Sequence, residues 1–298
     1  MFRLAHISDP HLGPIPALGA GDYFNKRVLG LLFWKGNRKR HMGAEWRNRL
    51  VADLKDTKPD HIAVTGDVTN LALGAEFERG REWLESLGAP HDVSVIPGNH
   101  DAYIRGAFKR HAATWAAYMS GDAAAGTVDF PYLRRRADVS LIGTSTGIAM
   151  PPFVAGGVFG SAQATRLEAM LGEPSIADTF RVVMIHHPPH RQATLFRKSL
   201  FDAAVFREVI ARKGADLILH GHTHLATRAE IAGPDGPVPV ICVPATSNGP
   251  GATRPAGRYN LFDIERAGSG AWQALWTERG HDSRTGELVT FRDRESIG

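Results

Sequence analysis

The feature that most constrains the fold is a series of short apolar runs, each of which leads directly into a polar loop. Five such runs, at 2–7, 61–65, 92–96, 181–185 and 216–219, are followed by SDPH, GDVTN, PGNHD, HHPP and HGHTH. Helical patterns at 44–56, 74–88, 161–172 and 202–214 lie between strand-like runs. Strands that alternate with helices indicate an α/β protein with substantial parallel pairing. Because ligands of such sheets bind outside the carboxyl ends of the strands, we expect the five loops to converge on one pocket.

The loops carry side chains of the kinds that bind metal ions. The candidate ligands are Asp9, His11, Asp67, Asn99, His100, His186, His222 and His224. They offer imidazole nitrogen, carboxylate oxygen and amide oxygen but no thiolate, which suits Mn, Fe, Zn or Co and disfavours a structural cysteine-type zinc site. Singly, each is an ordinary turn or surface residue. Together they exceed the ligands of one ordinary ion but fit two ions that share a carboxylate, as in phosphoryl-transfer hydrolysis.

The spacing of these residues suggests how they meet. Asp9 and His11 are two residues apart, and so are His222 and His224. In an extended segment such residues point the same way, so each pair is expected to address one site. Glycine precedes the polar residues of three loops, at Gly66, Gly98 and Gly221. Glycine at these places permits tight turns and close approach of the backbone.

In their order along the chain, these motifs resemble those of the calcineurin-like metallophosphoesterases. They are Asp9-x-His11, Gly66-Asp67, Gly98-Asn99-His100-Asp101, His186-His187 and Gly221-His222-Thr223-His224. The resemblance spans positions 9 to 224, about three quarters of the chain. GDVTN, IPGNHDAY and HGHTH most resemble the bacterial branch that includes cyclic-nucleotide and glycerophosphodiester phosphodiesterases. The fold that this resemblance implies is a four-layer α/β (α+β) sandwich of two mixed β-sheets flanked by helices, with the metal site at the carboxyl ends of the strands.

The resemblance also implies roles for the residues. Asp9, His11 and His224 would hold one ion, Asn99, His186 and His222 the other, and Asp67 would bridge them. Two divalent or trivalent transition-metal ions are therefore the expected cofactors, and a hydroxide that spans them would attack phosphorus in line with the leaving oxygen. His100 would stabilise the transition state or protonate the leaving group, and Asp101 would orient His100. The motif alignment favours His186 over its neighbour His187, which stays open as an alternative.

The chain is expected to form a single metallophosphoesterase domain over 1–298, with no linker. Its β-rich C-terminal part, 225–298, is expected to build a second sheet on the same core. An aromatic and basic insertion at about 15–43 contains YFNKRVLGLLFWKGNRKRH at 23–41. We expect it to be either a packed helical insertion, a lid over a phosphate group, or a contact to an anionic membrane or lipid substrate. A second basic cluster at Arg134, Arg135 and Arg136 is expected to be solvated.

Composition bounds the remaining possibilities. The formal charge of +4 permits an anionic substrate without requiring nucleic acid, which we do not expect as a partner. The one cysteine, Cys242, lies in an apolar run and is predicted to pack in the core, so no intramolecular disulfide can form. We find no signal-peptide pattern and no apolar run long enough to span a bilayer. We therefore expect a cytoplasmic location, with peripheral contact at the inner face of the membrane as an alternative.

Five functions compete on this sequence. The leading one is a dinuclear metal-dependent phosphodiesterase that acts on a small or lipid-linked phosphate ester. A pyrophosphatase acting on a nucleotide–lipid conjugate, and a phosphomonoesterase or nuclease, would use the same site. The nuclease is less favoured because no basic and aromatic stripe occurs beyond 23–41. A non-enzymatic scaffold is disfavoured because no ligand position of the motifs is lost.

Overall fold

The strands form two six-stranded sheets in a computed structural model that describes residues 1–34, 36, 42–268 and 270–297. The strands are β1 (Phe2–Ile7), β2 (His61–Val64), β3 (Val93–Val95), β4 (Tyr132–Arg136), β5 (Val139–Gly143), β6 (Phe180–Met184), β7 (Leu217–His220), β8 (Thr227–Ala232), β9 (Pro237–Cys242), β10 (Arg258–Arg266), β11 (Trp272–His281) and β12 (Leu288–Ser296). The α-helices of the described ranges are α1 (Arg27–Phe33), α2 (Ala44–Asp56), α3 (Gly74–Leu87), α4 (Ala107–His111), α5 (Ser161–Leu171) and α6 (Ala203–Lys213).

Both sheets are mixed. The first has the order β12-β11-β10-β1-β2-β3, in which β1, β2 and β3 run parallel and the remaining pairs are antiparallel. The second has the order β4-β5-β6-β7-β9-β8, in which β5, β6, β7 and β9 run parallel between two antiparallel edge strands. The parallel strands of each sheet therefore end at a common edge.

Alternation along the strands of the second sheet explains the layers. Leu141 and Val182 belong to the core cluster that includes the first sheet, whereas their neighbours Ile142 and Val183 pack with α5 and α6. Successive side chains of a strand point to opposite faces, so one face of this sheet meets the other sheet and the opposite face meets the two helices. On the far side of the first sheet, α2 packs against β10 and β11. The four-layer sandwich of two mixed sheets flanked by helices is thus confirmed.

The C-terminal part differs from the expectation. It was expected to build one second sheet, but β8 and β9 join the second sheet while β10, β11 and β12 extend the first. The reason is that β10 pairs antiparallel with β1, the first strand of the chain. Tyr259 and Phe262 of β10 are buried in the same core cluster as Leu4 of β1, so the C-terminal strands complete a core that the N-terminal strand begins.

The basic cluster on β4 also differs from the expectation. Arg135 is exposed, but Arg134 and Arg136 are buried. The guanidinium of Arg134 donates to the carbonyl oxygens of Pro90, Val93, Ala117 and Ser120 at 2.6–2.8 Å. Arg134 is therefore a structural cation that gathers four backbone acceptors, not a solvated surface group.

The predicted insertion is partly visible. It contains a 3₁₀ helix at Ala20–Phe24 and then α1, and Trp34 after it is buried. Its residues 35 and 37–41 lie outside the described residues. Among the helices described, none is both long and apolar enough to cross a bilayer.

Candidate metal centre

The loops after β1, β2, β3, β6 and β7 send side chains to one cluster at the carboxyl ends of these strands. Three of the strands are parallel neighbours in the first sheet, and two are parallel neighbours in the second. The cluster brings together all seven residues predicted to be ligands, namely Asp9, His11, Asp67, Asn99, His186, His222 and His224. Their convergence follows from the rule that such sheets open onto a pocket at this edge.

The first group of the cluster consists of Asp9, His11 and His224. Nε2 of His224 lies 3.1 Å from Oδ1 of Asp9 and 3.4 Å from Nε2 of His11. Nε2 of His11 lies 3.7 Å from the same oxygen of Asp9. The side chains of Asp9 and His11 are fully buried, and that of His224 is 13% exposed. Three electron-pair donors thus face one point.

The second group consists of Asn99, His186 and His222. Oδ1 of Asn99 lies 2.9 Å from Nδ1 of His222 and 3.3 Å from Nε2 of His186. Asp67 lies between the two groups, with its Oδ2 3.4 Å from Nε2 of His186 and 3.9 Å from Nε2 of His11. One carboxylate oxygen therefore faces both sets of donors.

The orientation of the imidazole rings fits a cation. Nδ1 of His186 donates to the carbonyl of Thr65 at 2.6 Å, and Nε2 of His222 donates to the carbonyl of Lys198 at 2.8 Å. A carbonyl that holds one ring nitrogen as a donor leaves the lone pair of the other nitrogen aimed at the cluster, as in metal-ligating histidines. Nε2 of His186 then faces only acceptor oxygens, on Asp67 and Asn99. Acceptors that face each other in this way need a cation, or a proton, between them.

The electrostatics of the cluster agree with this. Burial lowers the pKa of His186, but the carboxylates of Asp67 and Asp9 and the hydrogen bond to Thr65 together outweigh burial and raise it to about 9. Burial would raise the pKa of Asp9, yet His224 and His186 hold it below its ordinary value. Without a metal ion, protonated His186 therefore supplies the positive charge between the buried carboxylates.

Strained backbone is concentrated at the same residues. Five of the seven have a left-handed backbone, with φ of 52° at Asp9, 39° at His11, 55° at Asp67, 67° at His222 and 56° at His224. Such residues cost about 1–3 kcal/mol each and persist where the surroundings fix them, which is typical of functional sites. The two pairs spaced two residues apart were expected to be extended. Asp9 and His11 do meet in one group, and His222 and His224 lie in adjacent groups, but both pairs are positioned by left-handed backbone.

The glycines of the motifs allow close packing behind the ligands. A Cβ on Gly98 would lie 2.1 Å from Oδ1 of Asp67, and a Cβ on Gly221 would lie 2.5 Å from Oδ2 of Asp9. Both carboxylates that face the cluster are therefore seated directly against glycine backbone. The expectation of close backbone approach at these positions agrees with the structure.

His100 and Asp101 lie beside the cluster in different ways. Nδ1 of His100 donates to the carbonyl of Asn70 at 2.6 Å, and the ring packs against His11 and Tyr103. The buried carboxylate of Asp101 accepts from the backbone N–H of Thr69 at 2.8 Å and of Gly98 at 2.9 Å. Asp101 thus ties together the loops that carry Asp67 and Asn99, and its orientation of His100 stays a prediction.

The alternative ligand His187 has other partners. Its Nδ1 lies 2.7 Å from Oγ1 of Thr146, and its Nε2 lies 3.2 Å from the carbonyl of Ala155. Burial, together with the adjacent His186, lowers the pKa of His187 to about 3. These contacts favour His186 as the residue that faces the cluster.

The sequence did not point to the cations around the cluster. The pocket above it has a volume of about 260 Å³, and its walls include Lys198, Thr253 and Arg254. Lys198 follows the HHPP loop by several residues, and Arg254 lies in the loop after β9. Neither belongs to a motif, so only the fold brings them to the site. Asn248, from the same loop as Arg254, also lines this pocket.

The fold is that of known metal-dependent phosphatases. A dimetal phosphatase from Danio rerio superposes with a TM-score of 0.59 at 13% identity, over 98% of this chain and 99% of that chain. A purple acid phosphatase from yellow lupin (Lupinus luteus) seeds gives a TM-score of 0.60 at 11% identity, over 97% of this chain and 52% of that chain. At these identities the likeness concerns the fold alone.

The sequence comparison gives the family. The model of the calcineurin-like phosphoesterase family matches residues 2–226, so the chain belongs to this family. A probable cyclic nucleotide phosphodiesterase of Synechococcus sp. is 38% identical over 52 residues, which are 17% of this chain and 20% of that protein. The matched part thus covers one fifth of that relative. The chain is thus a calcineurin-like phosphoesterase by family, and its fold is that of known metal-dependent phosphatases.

Proposed function

We propose that this hydrolase is a phosphodiesterase that works with two metal ions bridged by Asp67. The observation that carries the proposal is the position of Oδ2 of Asp67, 3.4 Å from His186 in one group and 3.9 Å from His11 in the other. A single carboxylate oxygen that faces two sets of nitrogen and oxygen donors is what a shared ligand requires. The donor set suits Mn, Fe, Zn or Co.

The ligand roles follow from the two groups. Asp9, His11 and His224 would hold one ion, and Asn99, His186 and His222 would hold the other. When bound, the two ions would lower the pKa of a water molecule and neutralise charge on the phosphoryl oxygens. The carbonyls of Thr65 and Lys198 would fix the rings of His186 and His222 for this task.

His100 is proposed as the acid for the leaving group. Because its Nδ1 donates to the carbonyl of Asn70, Nε2 is the nitrogen that can give a proton to the leaving oxygen. Lys198 and Arg254 border the pocket above the cluster and would attract the phosphoryl group. A phosphodiester is favoured over a monoester because the partial relative from Synechococcus is a probable phosphodiesterase.

The test compares two chromogenic substrates. Protein loaded with Mn, Fe, Zn or Co should hydrolyse bis(p-nitrophenyl) phosphate with a higher kcat/KM than p-nitrophenyl phosphate. Inactivity with all four metals would refute the proposed enzymatic activity. A preference for the monoester would refute the assignment as a phosphodiesterase. Asp67→Ala should reduce bound metal from two ions to at most one, whereas Asp129→Ala, at an exposed acid away from the cluster, should not. An unchanged metal content in Asp67→Ala would refute the bridge.

The substrate is expected to be a small-molecule phosphoester. A pyrophosphatase that acts on a nucleotide–lipid conjugate would use the same residues. Nucleic acid stays disfavoured, and a cytoplasmic location with or without peripheral membrane contact stays a prediction of the sequence. Sedimentation with anionic vesicles tests the membrane contact directly.

A further inference from the structure

A second cavity opens beside the metal centre. It has a volume of about 630 Å³, within the range of pockets that bind small molecules. It shares Asn99, His100, Ala155 and Lys198 with the smaller pocket above the cluster. A substrate whose phosphoryl group sits at the metal centre would therefore reach this cavity with one of its ester groups, and His100 would stand at the junction.

The walls of the cavity are mainly apolar. They come from α1, from 148–155 and from the loops of Leu71 and Tyr103. Phe33 of α1 meets Phe153 edge to face with ring centroids 6.1 Å apart, and Nζ of Lys26 donates to the carbonyl of Met150 at 2.7 Å. These two contacts join α1 and the residue before it to the opposite segment, so the apolar residues line a walled cavity.

The charged side chains described in the lining of the cavity are all basic. Among the residues that the structure describes, its lining contains Lys26, Arg197 and Lys198 but no carboxylate. An apolar cavity with a cationic edge next to a phosphoryl site matches an anionic molecule that carries an apolar chain.

Exposed apolar side chains are concentrated in the segments that supply the cavity walls. Within the described parts of the chain, ten of the eleven large hydrophobic side chains that are exposed lie in 23–33, 148–153 and 195–201, and the other is Met1. Isolated exposed hydrophobic residues are normal, but four of these ten, Leu29, Phe33, Ile148 and Phe153, line one cavity, and apolar side chains grouped in this way mark a binding surface. Phe33 and Phe153 line the cavity, whereas Phe24 and Phe196 lie outside its lining.

We propose that this cavity binds the hydrocarbon chain of an amphiphilic phosphodiester, with Phe33 and Phe153 as residues that determine specificity. The inference rests on the proposed function for the position of the phosphoryl group. It names the substrate class as diesters with one long apolar substituent. The basic residues at the edge select for an anionic substrate, and the apolar walls select for chain length.

The first test is a chain-length series. Metal-loaded protein is given p-nitrophenyl diesters of methyl, butyl and octyl phosphate, each below its micelle concentration. Burial of a CH₂ group stabilises by about 0.8 kcal/mol, so kcat/KM should rise by up to about fourfold per CH₂ until the cavity is filled. The double variant Phe33→Ser and Phe153→Ser should lower the octyl-to-methyl ratio by at least about tenfold and leave the methyl ester unchanged.

A matched double variant serves as the control. Phe24→Ser and Phe196→Ser make the same chemical change at aromatic side chains that are 92% and 82% exposed and lie outside the cavity. The chain-length ratio should not change in this control. The inference is overturned if the ratio is flat in the unaltered protein, or if both double variants lower it equally. The exposed aromatic side chains would instead form a membrane contact if two results occurred together. The ratio would be flat, and the control variant would lose hydrolysis of substrate presented in anionic vesicles.

A binding measurement separates this inference from the proposed function. Metal-free protein is titrated with 11-(dansylamino)undecanoic acid, an anionic chain whose fluorescence rises in an apolar site. The unaltered protein should bind the probe, and the Phe33→Ser, Phe153→Ser variant should bind it at least about tenfold more weakly. If no diester is hydrolysed but the probe behaves as stated, the proposed function fails and the subsite stands. If diesters are hydrolysed but the probe does not bind, the subsite fails alone.

Discussion

Replacing Glu76 with Gln tests how the fold supports the loop beside His100. Glu76 is fully buried in the first turn of α3. Its Oε1 accepts from the backbone N–H of Asn70 at 2.9 Å, and its Oε2 accepts from those of Leu71 and Leu73 at 3.0 Å each. The carbonyl of Asn70 in turn accepts from His100. One carboxylate therefore holds the turn that positions the proposed acid.

The structure sets the magnitude of the effect. The amide of Gln has one acceptor oxygen, which can keep the two bonds to Leu71 and Leu73. Its NH₂ group then faces the N–H of Asn70, and that bond to a charged acceptor is lost. The loss of such a bond, with a buried donor left unsatisfied, costs about 2–3 kcal/mol. For a chain of this size, that lowers Tm by about 5 °C.

The assay is urea unfolding of the metal-free protein, followed by far-UV circular dichroism. Glu82→Gln, at an exposed position of the same helix, is the matched control and should change the free energy of unfolding by less than about 0.5 kcal/mol. If Glu76→Gln were as stable as this control, the three backbone bonds would not hold the turn, and the account of His100 positioning would be wrong.

Three further predictions concern the core and the cluster. Arg134→Met removes the donor to four carbonyls and should lower the free energy of unfolding, measured in thermal melts, by about 3 kcal/mol. Arg135→Met, at the exposed neighbour, should have little effect. Equal effects of the two variants would refute the structural role of Arg134. Burial raises the pKa of Cys242 to about 12, so iodoacetamide should label it at pH 8 only after unfolding, and rapid labelling of the folded protein would contradict its place in the core. Gly221→Ala should weaken metal binding measured by isothermal titration, because the new Cβ would collide with Ser8 and with the Asp9 carboxylate and displace them; unchanged affinity would show that the close contact with Gly221 is not needed.

The sequence predicted most of the fold because its periodic patterns are local. The helix predicted over 44–56 is α2 with the same bounds, since Leu50 and Leu54 form one buried stripe on it. The metal-centre residues could also be predicted, because each lies directly after an apolar run and such loops share one edge of a sheet. Their roles as ligands stay a prediction.

What the sequence could not predict depends on long-range pairing. A strand pattern does not say which sheet a strand joins, so the return of β10 to β1 was missed. Arg134 was expected in solvent because it is charged. Its carbonyl partners lie in two other segments, 90–93 and 117–120, which meet it only in the folded chain. The walls of the apolar cavity were missed for the same reason, since Phe33 and Phe153 meet only in the folded chain.

The proposed function depends on Asp67 bridging two metal ions. Anomalous diffraction from crystals of the metal-loaded protein tests it most directly. We expect two peaks per chain about 3.5–4 Å apart, with the carboxylate of Asp67 between them. One peak should lie among Asp9, His11 and His224, and the other among Asn99, His186 and His222. A single peak, or two peaks that do not share Asp67, would contradict the account.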